Sequence, residues 1–302
     1  MIIKTIKKLK LLSKCNIKIA RPILVSFIYL DDFFLKLRIF LFCLFLKDDN
    51  KIVKAIKDLK KDGVAIIPNF YSENEIRSIN EECLKLIDKI PLEKVNQSKN
   101  YIEGEEIDID GKQIYLEKLG GSIKLKGLNF VNNFFNKIGK EIENNLINLI
   151  YQLSINKPYL VYNVTHDGSL KHPVFQNYSN KKNNEAIAGR PHVDLYLHKL
   201  RGFIALKDVN RDNGATVYFR KSMNSKLLRE NHINLILKDF GHLETNEESH
   251  YISAEKLNEL NESCVKSFIE CKKGDLALLD LKTAHYAILP KEGERHLLWM
   301  YY

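Results

Sequence analysis

The sequence predicts an α+β protein built on a jelly roll, with helices flanking its start and a helical insertion, and three observations carry that class. Apolar residues at helical spacing dominate the first half of the 302-residue chain. Short apolar runs separated by Gly, Asn and Asp turns crowd the second half. No helix alternates regularly with those runs, which favours a sandwich or barrel over a parallel sheet.

Composition limits what the chain can be. Apolar content of 45% beside 28% charged residues suits an ordinary globular protein with a full core. The five cysteines (Cys15, Cys43, Cys83, Cys264 and Cys271) are odd in number and form no Cys-x-x-Cys. They fit a reducing compartment and offer neither a disulfide framework nor a zinc knuckle. The net charge of +9 is unevenly spread: residues 1–61 hold 15 Lys/Arg against 5 Asp/Glu, and the remainder holds 32 against 33. The main body therefore lacks the basic footprint that nucleic-acid binding requires, and no nucleic-acid partner is expected.

Residues 1–50 form a basic, apolar N-terminal segment, and residues 51–302 form the main domain. Lys4, Lys7, Lys8, Lys10, Lys14, Lys18 and Arg21 precede an apolar run from Ile23 to Leu46. Asp31, Asp32, Lys36 and Arg38 interrupt that run, and each costs roughly 2.5–3.5 kcal/mol at mid-bilayer. Three placements stay open: a helix in the membrane interface beside anionic lipid, a helix packed on the domain or a partner, and a true span. The first gives residues 1–46 a peripheral contact with the inner face of the cytoplasmic membrane.

Further along, Ile52, Val53, Ile56 and Leu59 have helical spacing, and Asp62-Gly63 stops that helix. Val64–Ile67 reads as a buried strand ending at Pro68. Ser72-Glu73-Asn74-Glu75 is a capping box, and Ile76, Ile79, Cys83 and Leu86 give the next helix its apolar face. Residues 92–127 read as loop with one or two short strands, and Gly120-Gly121 as a turn. A long core helix is expected to bury Phe130, Phe134, Ile138, Ile142, Leu146, Leu149 and Leu153. Strands are expected at Leu160–Val164, Gly202–Leu206, Ala215–Phe219, Cys264–Cys271, Asp275–Asp280 and His296–Tyr302, with a weaker one carrying His192 and Asp194. Lys226–Phe240 and Ala254–Leu260 form the helical insertion.

The chemistry concentrates at Arg190-Pro191-His192-Val193-Asp194 and at Thr283-Ala284-His285. In an extended segment residues i and i+2 share a face, so His192 and Asp194 can offer an imidazole nitrogen and a carboxylate oxygen to one ion. His285 from a distant strand completes a two-His-one-carboxylate set that leaves positions open on a non-haem Fe(II). A His-x-acid pair alone is weak, and His242-Leu243-Glu244 is a second one. Arg295, entering the last strand, could hold the distal carboxylate of a 2-oxo diacid bidentately. Tyr162, Asn163 and Phe203 are candidates to line the pocket; the remaining histidines belong to solvent or packing.

Taken in order, these residues resemble the phytanoyl-CoA dioxygenase family of Fe(II)/2-oxoglutarate oxygenases, roughly over residues 59–302. The resemblance includes Asp62–Phe70, His192-x-Asp194, the Asp208–Gly214 turn, Lys273-Gly274-Asp275, His285 and Arg295. It implies a double-stranded β-helix (jelly roll, cupin-like). It also implies that His192, Asp194 and His285 bind Fe(2+), that Arg295 binds 2-oxoglutarate, and that the substrate is a small molecule or a lipid- or glycan-linked one, commonly hydroxylated. The chain departs from the family pattern at three places. Arg220-Lys221-Ser222-Met223 replaces a Pro-Gly-Ser-His segment, Ala287 stands where a small hydroxyl residue is usual, and the His285-to-Arg295 gap is one shorter. Asp194 argues against halogenating relatives, which lack the carboxylate. The rival readings are a non-catalytic jelly-roll scaffold, motivated by the first two departures, and a cupin-like enzyme using another metal.

Overall fold

The computed structural model describes residues 16–45, 51–91, 105–119, 122–143, 159–167, 170, 174, 189–194, 200–239 and 251–301. Helix α1 (Ile17–Phe45) is rich in apolar residues, and Ala20, Leu24, Leu35 and Ile39 form its buried stripe. Helix α2 (Lys51–Asp62) buries Val53, Ile56 and Leu59 and stops at Gly63, whose φ of +84° favours glycine. The Gly63 N–H bonds to the Leu59 carbonyl at 2.9 Å, closing the helix end in the left-handed manner. Strand β1 (Val64–Ile67) follows at once. Helix α3 (Glu73–Asp88) opens on the capping box, in which Glu75 accepts from the Ser72 backbone at 2.7 Å. It buries Ile76, Ile79, Cys83 and Leu86, as their spacing predicts.

Next come β2 (Glu105–Ile109), β3 (Lys112–Leu119) and β4 (Ser122–Lys126), three strands where the sequence suggests mostly loop. The signal is local. Asp110 and Gly111 both have positive φ (54° and 75°), the two-residue turn that matches hairpin twist.

The expected long helix is broken instead into α4 (Leu128–Val131) and α5 (Asn133–Glu143). At the break Asn132 is extended (φ −128°, ψ 126°), and its Oδ1 accepts from the Phe134 N–H at 2.8 Å. A side chain that satisfies the backbone locally starts a new helix rather than continuing the old one. The apolar stripe shifts accordingly: Phe135 and Ile138 are buried, whereas Phe130 is 52% exposed. The side chain of Ile142 and residues Leu146, Leu149 and Leu153 lie outside the described residues, as does the Gly120-Gly121 turn.

The later strands fall close to their expected places: β5 (Tyr159–His166), β6 (Leu200–Ala205), β7 (Thr216–Phe219), β8 (Lys266–Ile269), β9 (Leu276–Asp280), β10 (His285–Tyr286) and β11 (Glu294–Tyr301). Helices α6 (Arg229–Asp239) and α7 (Ala254–Ser263) form the insertion between β7 and β8. An eight-stranded sheet runs β1-β9-β6-β11-β5-β4-β3-β2 and faces a three-stranded sheet, β10-β7-β8. Every pairing is antiparallel. Alternation along the large sheet divides its residues in two. Leu298, Met300, Leu160 and Val164 join the core beneath the helices. Leu297, Phe203, Ala205 and Leu279 join Val209, Ile269 and Cys271 in the core between the sheets.

Candidate metal centre

The segment carrying His192 and Asp194 forms an isolated bridge, not the expected strand. The His192 N–H donates to the His285 carbonyl and the His285 N–H to the His192 carbonyl, both at 2.9 Å. Residues that exchange both hydrogen bonds in an antiparallel pair sit directly opposite, with side chains on one face. The two imidazole centroids are accordingly 4.5 Å apart. On the other flank His192 bridges Tyr251, and the Ile252 N–H donates to the Pro191 carbonyl at 2.9 Å. Asp194, two residues on, shares the face of His192 and is anchored by its N–H to the Leu281 carbonyl at 3.2 Å.

The geometry brings three of the four sequence-predicted site residues together. One donor atom each from His192, Asp194 and His285 lies within 4.8 Å of the others. His192 Nε2 is 3.8 Å from Asp194 Oδ1, and His285 Nε2 is 3.6 Å from Asp194 Oδ2. Each imidazole has its Nδ1 2.8 Å from a backbone carbonyl, Arg190 for His192 and Thr283 for His285. A carbonyl can only accept, so Nδ1 carries the proton and each Nε2 lone pair is left for an ion.

Electrostatics keeps the set in its ligating form. Burial opposes ionisation of Asp194, but the Arg201 guanidinium and the two imidazoles outweigh it and hold the carboxyl well below the usual carboxylate range. Burial, with His285 adding, pushes His192 down to about 4, so its imidazole is neutral at pH 7. Asp194 Oδ2 is buried without an aligned hydrogen bond, although charges surround it. Two imidazoles with Nδ1 held by backbone carbonyls, one carboxylate and an unsatisfied inward oxygen fit a divalent first-row ion such as Fe(II).

The fold pins His285 from several sides. Strand β10 pairs with β7, placing His285 opposite Tyr218. The fully buried Ser222 hydroxyl accepts from the Ala284 N–H at 2.9 Å, so the divergent Arg220–Met223 segment still supports the histidine strand. Thr283 packs on Gly63, where an added Cβ would come within 2.2 Å of Thr283 Oγ1. Gly63 thus serves a close approach as well as a helix end.

Two arginines enter the space between the sheets. Arg201, absent from the sequence-based set, places Nη1 3.0 Å from Asp194 Oδ2 and stacks 4.3 Å above the Tyr301 ring. Its signal was a charge within the apolar run of β6, on the face shared with Phe203. Arg295 makes no contact with the three donors, but its side chain crosses the same inter-sheet space. Its Nη1 donates to the Gly214 carbonyl, its Nη2 donates to Thr165 Oγ1 at 3.1 Å, and its Nε has no partner. Among the described residues no carboxylate pairs with it. Burial pulls its pKa down to about 10, which leaves the guanidinium charged at neutral pH.

Of the pocket-lining candidates, Tyr162 faces the other way: its hydroxyl lies 2.7 Å from His296 Nδ1 on the helix side of the sheet. Phe203 does face the inter-sheet core, 4.8 Å from Trp299. Asn163 is buried and donates to Ser122 Oγ at 2.6 Å. The second His-x-acid pair, His242 and Glu244, lies outside the described residues.

A jelly roll presenting two imidazoles and one carboxylate on adjacent edges is the architecture of non-haem iron enzymes. The chain belongs to the phytanoyl-CoA dioxygenase family, whose family model, Phytanoyl-CoA dioxygenase (PhyH), matches residues 59–288. The family's cofactors are Fe(II) and 2-oxoglutarate. Among solved structures, the chain is similar to the non-heme alpha ketoglutarate dependent epimerase SnoN from nogalamycin biosynthesis. That likeness has 12% identity and a TM-score of 0.50, covering 82% of this chain and 81% of that one. It is also similar to the carbocyclase SnoK from nogalamycin biosynthesis (14% identity, TM-score 0.49, 86% and 85% covered). A third similar structure is HygX from Streptomyces hygroscopicus with nickel and 2-oxoglutarate bound (12% identity, TM-score 0.45, 82% and 85% covered). At such identities the likeness to SnoN is one of fold, and it agrees with the double-stranded β-helix expected from the sequence. No curated protein matches the chain.

Proposed function

We propose that the protein is a Fe(II)- and 2-oxoglutarate-dependent oxygenase that hydroxylates a small molecule or a lipid- or glycan-linked substrate. The observation that carries this reading is the convergence of His192, Asp194 and His285, with both Nε2 lone pairs turned toward one carboxylate. In it, the three side chains hold the iron, and Arg295 holds the distal carboxylate of 2-oxoglutarate. The buried guanidinium supports that role, because it carries charge and a spare donor without an acid partner among the described residues. Arg201 keeps Asp194 ionised and oriented, and Trp299 and Phe203 wall the interior with apolar surface. When bound, iron and 2-oxoglutarate supply the activation of dioxygen for oxidation of a substrate C–H bond, while the protein positions the reactants and excludes water.

The test is aerobic turnover of 2-oxoglutarate to succinate with Fe(II), across a panel of small-molecule and lipid-linked substrates. The expected result is substrate-stimulated succinate formation that His192→Ala, Asp194→Ala or His285→Ala abolishes. Retention of Zn or Mn with activity indifferent to 2-oxoglutarate would instead establish a cupin-like enzyme of another metal. A folded protein that binds no metal would establish the scaffold. SnoN is an epimerase, so product analysis rather than fold decides between hydroxylation and another oxidative outcome.

The same reading attaches the chain peripherally to the inner face of the cytoplasmic membrane through residues 1–46. Its support is the basic surplus of residues 1–61. Among the described residues, no helix is long and apolar enough to cross a membrane.

A further inference from the structure

Helix α1 is built the wrong way round for a surface helix. Its inner stripe is ordinary: Ala20, Leu24, Leu35 and Ile39 are buried. Its outer face should then be polar, and it is not. Of the 14 exposed large hydrophobic residues among those described, 11 sit on this one helix. Projected at 3.6 residues per turn, Ile23, Leu30, Phe33, Leu37, Phe40 and Leu44 fall with their neighbours in an outward arc of about 140° that holds no charged residue. Phe33, Phe40 and Leu44 are 59%, 56% and 61% exposed. The charged residues lie outside this arc: Lys18 and Lys36 on one border, Arg38 on the other, with Arg21 paired to Glu230 and Asp32 to Lys282 on the inner side.

A contiguous apolar face of this size needs a cover, and charge selects among the candidates. The segment from 1 to 61 carries 15 Lys/Arg against 5 Asp/Glu. Mating two copies through α1 would bring two such surpluses together, and like charges oppose that. An anionic lipid surface complements the same charge, accepts the apolar arc at the acyl boundary, and lets the bordering lysines reach headgroups with their ammonium ends.

We infer that the outward arc of α1 inserts into the interface of an anionic phospholipid membrane, a conclusion that rests on the peripheral-attachment reading above and gives it a surface and a lipid chemistry. Two features lie beside the arc. A cleft of about 260 Å³ opens beside the arc, lined by Tyr29, Phe33, Lys36, Arg229 and Lys282 among others, a mixture of rings and cations suited to a lipid headgroup. Lys282, three residues before His285, is tied to Asp32 of α1 at 2.8 Å. The helix is therefore tied to the segment that leads into the distal histidine.

The experiment is co-sedimentation of the full-length chain with vesicles of phosphatidylcholine alone and of phosphatidylcholine mixed with phosphatidylglycerol. It is repeated with the triple variant Phe33→Glu/Phe40→Glu/Leu44→Glu, whose fold is monitored by circular dichroism and thermal melting. The wild type is expected to pellet with the anionic vesicles and much less with the neutral ones. The variant, folded as the wild type, is expected to lose partitioning roughly tenfold or more. A variant that partitions like the wild type would overturn the inserted arc while leaving charge-driven attachment standing. A wild type that binds neither vesicle would overturn the attachment itself. Vesicle-free dimerisation that the triple variant abolishes would assign the arc to a second copy and contradict the proposal. None of these readouts depends on oxygenase turnover.

Discussion

The two faces of β11 carry different chemistry: one packs apolar side chains beneath the helices, and the other faces the space that holds the three candidate ligands. Toward the helices the strand presents His296, Leu298 and Met300. The polar member there carries no charge. Burial pushes His296 down to about 3, so it is neutral, with Nδ1 2.7 Å from the Tyr162 hydroxyl and Nε2 3.1 Å from Glu294 without an aligned hydrogen bond. Toward the other sheet the same strand presents Arg295, Leu297, Trp299 and Tyr301, with Arg201 of β6 stacked on Tyr301. That face buries two guanidinium groups and the Asp194 carboxylate, and it leaves Nε of both arginines and Asp194 Oδ2 without hydrogen bonds. What separates the faces is charge, because buried ions cost stability unless they are paired. The helix face carries a neutral imidazole, and the inter-sheet face carries two guanidinium groups and a carboxylate.

Substitutions on each face should separate the two effects. Leu298→Ala, at a fully buried position of the helix face, should cost about 2–5 kcal/mol of stability, read as a lowered urea midpoint. The folded fraction should keep its 2-oxoglutarate affinity. Arg295→Met on the opposite face should do the reverse. Loss of one charge-assisted hydrogen bond worth about 1.5–3 kcal/mol should weaken 2-oxoglutarate binding roughly 10- to 150-fold, measured by anaerobic calorimetry. The ligand-free variant should melt no lower than the wild type, because a long apolar side chain replaces a buried cation that lacks an acid partner among the described residues. A lowered melting point with unchanged affinity would reassign Arg295 to structure. The smallest effect belongs to Ser222→Ala, which removes the acceptor for the Ala284 N–H beside His285. It should cost about 1 kcal/mol of stability and raise the Fe(II) Kd without touching a metal ligand.

The sequence made much of this legible because the strongest signals were local. Helix α3 was readable from Ser72, Glu75 and the 3–4 spacing of Ile76, Ile79, Cys83 and Leu86, all of which act within a few turns. His192 and Asp194 were readable because extended backbone puts i and i+2 on one face whether or not a full strand forms. The failures have local causes too. Asn132 ended one helix and began the next through its own side chain, a choice that apolar periodicity does not register. The Asp110-Gly111 turn was a hairpin signal outweighed by the polar character of its surroundings. Arg201 was missed for a different reason. Its partner is seven residues earlier in the chain but meets it across the fold, and only the register of β6 against β11 shows which way it points. Helix α1 packs on the domain through its inner stripe, one of its open placements, while its outer arc is left exposed.

The most direct test of the central claim is an anaerobic titration of the full-length protein with Fe(II) and 2-oxoglutarate, followed by visible absorption. A charge-transfer band that needs both additions, saturates at one equivalent of iron and is lost in His192→Ala and in His285→Ala is the predicted result. No band in the wild type, or an unchanged band in either variant, would mean that these imidazoles do not share an iron.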